Sequence, residues 1–280
     1  MPIRLGAVSY LNARPLVRGL AQAPDRFALR FDVPSRCAAL LHAGEIDLGL
    51  IPSIEYLAGD YRVVPGIGVV SEGPVASVAL FSRVAVAGVR TIALDTSSRT
   101  SVALLKVLCA RYFGIAPAYA DAGPDLTAML AVADAALLIG EPALLASYEA
   151  LGLRKIDLGT CWTGMTGLPF VYAFWAGPPG VVTSADVVRL QEARDRGRQD
   201  SDLVAAEYFA GDPGLQGYGA AYLRKHIRYD VGERERAGVE RFFALAAEVG
   251  AAPPARGLRF YEGPDAGQGS PEPAAAGAVE

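Results

Sequence analysis

The chain has 280 residues, of which 52% are hydrophobic and 20% are charged, and its formal net charge is −4. A chain of this length and polarity can bury a sizeable core in one large or two smaller domains. The acidic balance argues against a general nucleic-acid binder, which needs a basic face. No apolar run predicts a membrane span, and no secretory leader precedes the first strand, so we expect a cytoplasmic protein.

The N-terminal part alternates between strand and helix patterns. An apolar strand at 3–8 is followed by a helix at 15–20, since proline is favoured at the first helical position. A second strand at 29–33 leads into a helix that Ser35 caps and Gly44 ends. The run at 46–51 predicts a short buried strand, and Pro52-Ser53 begins another short helix.

Strand patterns dominate the middle of the chain, and charged helices dominate its end. The further predicted strands lie at 63–70, 75–81, 91–95, 136–139 and 170–175. After Gly177, residues 183–209 and 232–249 form charged amphipathic patterns, which predict helices. The last residues, 264–280, are rich in Gly, Ala and Pro and predict a disordered tail.

Such alternation predicts an α/β fold with mostly parallel strands, whose ligands bind beyond the carboxyl ends of the strands. Four polar segments follow predicted strands directly: 9–12, 52–53, 96–101 and 140–141. Their common position predicts a binding site at one edge of the fold.

The segment 96–101, here called the serine-rich turn, has the sequence TSSRTS and precedes an amphipathic helix. Free N–H groups, the positive end of the helix dipole and several hydroxyls converge there. A single serine could simply cap the helix. The number of hydroxyls and the arginine exceed what one cap needs, which favours an anion site that uses Ser98, Arg99, Thr100 and Ser101.

Cysteine and histidine are too scarce to suggest a metal site or a disulfide framework. Cys37, Cys109 and Cys161 are far apart, and we interpret them as small buried hydrophobes. The two histidines, His42 and His226, are interpreted as structural or surface residues. Catalysis by a Ser-His-Asp or Cys-His arrangement and an imidazole-based metal site are therefore not expected.

Six strings along the chain carry a resemblance to one family. They are VSYLNARPL at 8–16, DLGLIPSIEY at 47–56, GPVASV at 73–78, SRTS at 98–101, IGEPAL at 139–144 and WTGMTGLPFV at 162–171. In this order, from about residue 3 to 260, they resemble the chorismate dehydratases of the futalosine route to menaquinone. The tail lies outside the resemblance.

This resemblance implies a two-lobed α/β fold like that of the type II periplasmic solute-binding proteins, with mixed, mostly parallel sheets and a ligand cleft between the lobes. We expect the crossings between lobes near 77–82 and 174–177. The first lobe would then contain residues 1–82 and 175–262, the second lobe 83–174, and the disordered tail 263–280.

The resemblance also implies a reaction. Chorismate is a dianion, and loss of water aromatises its ring to give 3-[(1-carboxyvinyl)oxy]benzoate. A hydro-lyase of this kind needs no cofactor and no metal, because it must only hold two carboxylates, exclude water and manage one proton and one hydroxyl. We expect chorismate as the small-molecule partner, and no nucleic acid, membrane or obligatory protein partner.

The family's motifs imply catalytic roles for Asn12 and Ser77. An asparagine before Ala-Arg-Pro is also an ordinary turn or cap residue, and an amide is a poor base. One hypothesis is that a substrate carboxylate takes the proton while Asn12 and Ser77 position it and the departing hydroxyl. The implied substrate-binding residues are Ser53, Ser98, Arg99, Thr100, Ser101 and Gly140.

Two further charged side chains are expected near the proposed cleft. Arg14 is an alternative cation for a carboxylate. Glu141 stands where the family usually has aspartate, so its charge can still favour the start of a helix, whereas a precise ligand contact becomes doubtful.

Three alternatives stay open. The sister enzyme that makes 1,4-dihydroxy-6-naphthoate has the same fold, but it carries a histidine base in the segment where this chain has Gly140. A solute-binding protein for a small anion would need a secretory leader. An effector-binding domain of a regulator would need a DNA-binding helix pair, which the sequence does not suggest.

Overall fold

The structure is a computed structural model that describes residues 1–263. Its strands are β1 (Ile3–Val8), β2 (Phe27–Asp32), β3 (Leu48–Pro52), β4 (Arg62–Ser71), β5 (Val78–Ser82), β6 (Thr91–Asp95), β7 (Ala118–Ala122), β8 (Ala135–Ile139), β9 (Arg154–Asp157) and β10 (Phe170–Gly177). The predicted tail at 263–280 lies outside the described residues, apart from Gly263.

The α-helices are α1 (Pro34–His42), α2 (Arg99–Leu108), α3 (Leu126–Val132), α4 (Gly140–Leu144), α5 (Leu158–Thr166), α6 (Ser184–Gln199), α7 (Ser201–Tyr208), α8 (Pro213–His226) and α9 (Glu233–Glu248). Short 3-10 helices cover Leu11–Val17, Leu20–Gln22, Ser53–Ala58 and Val86–Gly88, and a π-helical turn, Cys109–Phe113, follows α2.

Two five-stranded sheets form the centres of two lobes. Their strand orders are β2-β1-β3-β10-β4 and β7-β6-β8-β5-β9. Strand β1 pairs in parallel with β2 and β3, while β10 pairs antiparallel with β3 and β4. The second sheet repeats this pattern, with β6 parallel to β7 and β8 and with β5 antiparallel to β8 and β9. In each sheet four strands share one direction and one opposes them, which confirms the predicted mixed, mostly parallel α/β fold.

The strand pairing places the lobe boundaries at different residues from those predicted. The predicted division after residue 82 would assign β5 to the first lobe, but β5 lies within the second sheet. Likewise, the division at 174/175 would split β10, all of which belongs to the first sheet. The sequence pattern could not indicate this, because every residue of both strands is buried, and a wholly buried strand fits either sheet equally well.

The crossings therefore lie at 72–77 and 158–169, between strands of different sheets. The predicted strand at 75–81 begins only at Val78, and the residues before it form the first crossing. We use "first lobe" for 1–71 and 170–263, and "second lobe" for 78–157.

Several predicted helices differ in detail. The helix expected at 15–20 is a 3-10 helix that begins at Leu11 and contains Pro15. Helix α1 begins at Pro34 and has no side-chain cap, so Ser35 does not cap it. The pattern at 183–209 divides into α6 and α7 around Asp200.

Some elements had no sequence signal strong enough to predict them. They are α3, α5, α8, β7 and β9. Helix α8 contains three glycines, which weaken its helical signal. Strand β7 is an exposed edge strand without a buried face.

The cysteines are buried and the histidines are structural or near the surface, as the sequence predicted. All three cysteines are buried and free. His42 has hydrogen-bond partners on both ring nitrogens, Tyr61 at 2.6 Å and Glu55 at 2.7 Å, whereas His226 is near the surface. Within residues 1–263, potential ligand side chains form no group of three or more suited to a metal ion, and no helix has the length and apolarity needed to cross a membrane.

Candidate active site

A cavity lies between the lobes, where strand ends from both sheets meet. Its lining residues are Val8, Tyr10, Asn12, Ala13, Pro34, Leu50, Pro52, Val69, Val78, Ser98, Ser101, Ile139, Gly140, Tyr172 and Ala173. Each of the four segments predicted from strand ends contributes to this lining. The topology explains why, since strands of one direction bring their exit loops to the same edge of a sheet.

The lining side chains carry no formal charge at neutral pH. Burial raises the pKa of Tyr10 to about 12, against a smaller opposing effect of its hydrogen bond with Ser97, so this phenol stays neutral. Helices α1 and α2 both begin at the cavity, at Pro34 and beside Ser98. An anion in this cavity would therefore meet hydroxyls, an amide and the positive ends of helix dipoles rather than a cationic side chain.

Ser98 caps helix α2 and also faces the cavity. Its hydroxyl oxygen accepts hydrogen bonds from the Ser101 N–H at 3.4 Å and from the Ser101 hydroxyl at 3.1 Å. Both side chains belong to the cavity lining. The two interpretations of the serine-rich turn, helix cap and cavity wall, are therefore compatible.

Thr100 joins the two lobes instead of lining the cavity. Its hydroxyl oxygen accepts from the Ile54 N–H at 3.0 Å and lies 3.3 Å from the Ser53 hydroxyl oxygen. Ser53 in turn donates to the Val171 carbonyl at 2.8 Å. Both hydroxyl residues are fully buried, and their hydroxyls are occupied by contacts at the interface between the lobes, which we call the seam.

Arg99 also points away from the cavity. Its guanidinium donates to the Glu55 carboxylate at 2.8 Å, and the arginine side chain is 51% exposed. It lines a separate groove on another face of the seam. Arg14 is likewise absent from the cavity lining; its guanidinium lies 4.1 Å from the centre of the Phe31 ring.

Asn12 lies in the first lobe and Ser77 at the first crossing, and we call this side of the cavity the opposite wall, since the serine-rich turn belongs to the second lobe. Asn12, within the first 3-10 helix, lines the cavity. Ser77 lies at the end of the first crossing and is only 1% exposed, and its hydroxyl is 2.7 Å from the Tyr222 hydroxyl on α8. The Ser77 carbonyl accepts the Gly140 N–H at 2.8 Å. Ser77 thus lies beside the lining residues Val78 and Gly140, with its side chain directed at α8.

The turn that carries Ser77 is held by one carboxylate. Ala76 has a φ of +61°, a left-handed conformation that costs a non-glycine residue free energy. Asp157 accepts the N–H groups of Val75 at 3.1 Å and Ala76 at 2.6 Å, and it also caps α5. No sequence pattern marks Asp157, because its role depends on contacts with residues about eighty positions earlier.

Gly140 lies tightly beneath an aromatic ring. Its φ is +64°, and a β-carbon there would lie 3.0 Å from three ring carbons of Tyr10. The Tyr10 hydroxyl also lies 3.0 Å from the Ser97 hydroxyl in the other lobe. No side chain fits at Gly140 unless Tyr10 moves. This counts against the sister-enzyme alternative, in which a histidine base would occupy this segment.

Glu141 makes a contact between lobes that the sequence analysis did not foresee. Its carboxylate accepts the Leu11 N–H at 2.6 Å and makes no side-chain cap on α4. Burial raises the pKa of Glu141, and the hydrogen bond from Leu11 opposes part of that rise. The glutamate side chain thus holds the second lobe against the loop that carries Asn12.

The fold and cleft define a class of protein. Two mixed sheets joined by two crossings, with a cavity at their strand ends, form a periplasmic-binding-protein-like fold. The structure of the periplasmic aliphatic sulphonate binding protein SsuA from Escherichia coli superposes with a TM-score of 0.66 and 20% identity, covering 100% of this chain and 98% of that one. A protein from Archaeoglobus fulgidus superposes with a TM-score of 0.73 and 17% identity, covering 89% and 98%.

Sequence similarity identifies the family. The family model described as menaquinone biosynthesis matches residues 3–248. The chorismate dehydratase of Thermus thermophilus is 34% identical over 263 residues, which cover 86% of this chain and 94% of that protein. The chain belongs to the menaquinone biosynthesis family.

Proposed function

We propose that this protein is a chorismate dehydratase, a hydro-lyase that removes water from chorismate to give 3-[(1-carboxyvinyl)oxy]benzoate for menaquinone biosynthesis. The observation that carries the proposal is the uncharged, hydroxyl-lined cavity between the lobes, in a chain of this family. Such a cavity suits a small anion whose reaction needs positioning and exclusion of water.

Substrate binding is assigned mainly to the start of α2. The hydroxyls of Ser98 and Ser101 face the cavity, and the helix dipole favours a carboxylate there. Gly140, also in the lining, lets the Tyr10 ring approach the second lobe closely. In this proposal Ser53, Thr100 and Arg99 act indirectly, because their side chains hold the lobes together.

The elimination itself is assigned to the opposite wall. One ring C–H bond breaks and its proton passes to a carboxylate of the substrate; the bond between the ring and its hydroxyl oxygen breaks, and that hydroxyl leaves as water with the proton, while the enolpyruvyl ether bond stays intact. The C–H electron pair enters the ring, which becomes aromatic. Asn12 touches the substrate and orients these groups, and Ser77 supports it from the neighbouring position.

Closure of the lobes excludes water during this reaction. The hydrogen bonds from Ile54 to Thr100 and from Leu11 to Glu141 cross the cleft, so they break when the lobes separate to admit substrate. Their formation on closure completes the cavity wall. We further propose that the reaction belongs to the futalosine route and takes place in the cytoplasm.

Incubation of the purified protein with chorismate tests this function. We expect a new aromatic spin system in the proton NMR spectrum and, by mass spectrometry, a product lighter than chorismate by one water. The Asn12→Asp variant is the matched control, because it places a negative charge beside the dianion and should give almost no product. Chorismate binding without product in the unmodified protein would contradict the proposal and favour a binding protein or an effector domain. Turnover of a different menaquinone precursor would favour the sister enzyme.

A further inference from the structure

Tyr222, on α8, is a buried residue with a hydroxyl directed at the proposed catalytic wall. It is 3% exposed, and its hydroxyl lies 2.7 Å from that of Ser77. The residue lies 145 positions from Ser77 in the sequence, in a helix that the sequence did not predict. No motif or periodicity in the sequence predicts a role for Tyr222.

Close packing brings α8 to the loop that carries Asn12. A β-carbon at Gly219 would lie 2.8 Å from the Phe209 ring and 3.0 Å from the side chain of Leu11, so the glycine lets this turn of the helix pack closely against both residues. Tyr222 lies three residues later, on the same face of the helix, and so reaches the same loop.

The surroundings of Tyr222 keep its hydroxyl protonated. Burial raises its pKa well above the ordinary value, and the hydrogen bond with Ser77 and the nearby side-chain amide of Asn12 oppose part of that rise. The carboxylates of Glu141 and Asp157 raise it further. The phenol therefore has one proton to donate and lone pairs with which to accept.

We propose that Tyr222 is a positioning residue for the dehydration, which donates its proton to the Ser77 oxygen and accepts a hydrogen bond from the Asn12 amide. This inference rests on the proposed function. The Ser77 hydroxyl proton is then free to point elsewhere, and the carbonyl oxygen of Asn12 turns away from α8. Tyr222 thus decides which atom of the Asn12 amide faces the substrate and where the Ser77 hydroxyl proton points, without touching the substrate itself.

A second tyrosine shows that burial alone does not explain this contact. Tyr229 is 1% exposed, and its hydroxyl has no hydrogen-bond partner among the described residues. The fold therefore tolerates a buried tyrosine hydroxyl without a partner. Tyr229 also provides a matched control, because Tyr229→Phe removes a buried hydroxyl that has no hydrogen bond to Ser77.

Steady-state kinetics of Tyr222→Phe, Ser77→Ala, their double variant and Tyr229→Phe test the proposal. We expect Tyr222→Phe to lower kcat about 10- to 100-fold with KM within about threefold, since one oriented hydrogen bond is lost and the ring remains. The double variant should be less impaired than the product of the two single effects, because the contact between Ser77 and Tyr222 can be lost only once. Tyr229→Phe should keep the kcat of the unmodified protein. Full additivity, or a kcat of Tyr222→Phe within twofold of the unmodified protein, would overturn the inference.

A spectroscopic readout separates this inference from the function. Asn12 is the only asparagine in the sequence, so selective ¹⁵N-asparagine labelling gives a single side-chain amide pair. We expect its proton shifts to change in Tyr222→Phe and to stay unchanged in Tyr229→Phe. If the unmodified protein fails to dehydrate chorismate, the proposed function falls and with it the catalytic role of Tyr222. An unchanged Asn12 signal in Tyr222→Phe overturns the inference even in an active enzyme.

Discussion

The two walls of the cavity differ in how their polar groups are used. The serine-rich turn holds more hydroxyls and an arginine, yet Thr100 and Arg99 are bound to Ile54 and Glu55 in the other lobe. The opposite wall has few polar groups, but the Asn12 side chain faces the cavity. Behind this wall, the Ser77 and Tyr222 hydroxyls are hydrogen-bonded to each other. Polar side chains at strand ends thus show where a site lies, whereas their partners decide which of them can meet a ligand.

The strongest test of this contrast is Asn12→Asp. We expect kcat/KM to fall about 10²- to 10³-fold, because the substitution replaces an amide in an uncharged cavity by a carboxylate that repels a dianion. Chorismate turnover measures the effect, and circular dichroism and thermal unfolding check the fold. Near-normal turnover by folded Asn12→Asp, and by folded Ser77→Ala as well, would remove the catalytic role from this wall.

Gly140→Ala tests the close approach of the two walls. Gly140 and Gly152 share a φ of +64°, but a β-carbon at Gly152 would meet nothing within 4 Å. Both alanine variants should lose about 1 kcal/mol through backbone strain. Only Gly140→Ala should also lower turnover, about tenfold, because Tyr10 must move. Equal turnover in the two variants would show that the Tyr10 contact does not matter.

Thr100→Val tests the seam between the lobes. The valine leaves the buried Ile54 N–H without an acceptor, which should lower the free energy of unfolding by about 1 to 2 kcal/mol in urea titrations. Thr100→Ser keeps the hydroxyl and should retain most of the stability. If Thr100→Val were as stable as the unmodified protein but had lost substrate affinity, Thr100 would be a ligand contact after all.

Glu141→Gln tests the carboxylate that crosses the cleft. Burial raises the pKa of Glu141 in the folded protein above its unfolded value, so the unmodified protein loses stability as pH rises from about 4.5 through the folded pKa. Glutamine keeps an acceptor for the Leu11 N–H without the charge. We expect the variant to gain stability relative to the unmodified protein between pH 4.5 and 8, measured by urea unfolding. The opposite trend would mean that the charge itself stabilises closure.

The smallest effect is expected for Arg99→Gln. The ion pair with Glu55 is half exposed on the arginine side, and such pairs contribute less than about 1 kcal/mol. Because Arg99 does not line the cavity, KM for chorismate should stay within about threefold. A KM increase of more than about tenfold would show that the Arg99 side chain turns away from Glu55 and binds a substrate carboxylate.

The sequence predicted those parts of the molecule that depend on local pattern. Strands β1 and β6 are short apolar runs, and their boundaries were predicted correctly. The four polar segments at strand ends meet because strand direction alone brings their exits together. Family motifs then directed attention to Asn12 and Ser77.

The site contacts and lobe boundaries that the sequence did not predict depend on contacts between residues far apart in the chain. Glu55, which holds Arg99, is 44 positions away from it, and Tyr222 is 145 positions from Ser77. No periodicity or spacing encodes such pairs. The predicted lobe boundaries differ from the observed ones for the same reason. Burial of β5 and β10 does not indicate which sheet each strand joins.

A crystal structure of the protein with 3-[(1-carboxyvinyl)oxy]benzoate bound would test the account most directly. We predict that the product lies in the cavity between the lobes, with one carboxylate within 3.2 Å of the Ser98 or Ser101 hydroxyl and with the Asn12 amide in contact with the ring substituents. Arg99 should remain on Glu55. A product held by Arg99 or Arg14 outside this cavity, with Asn12 free of contacts, would contradict the account.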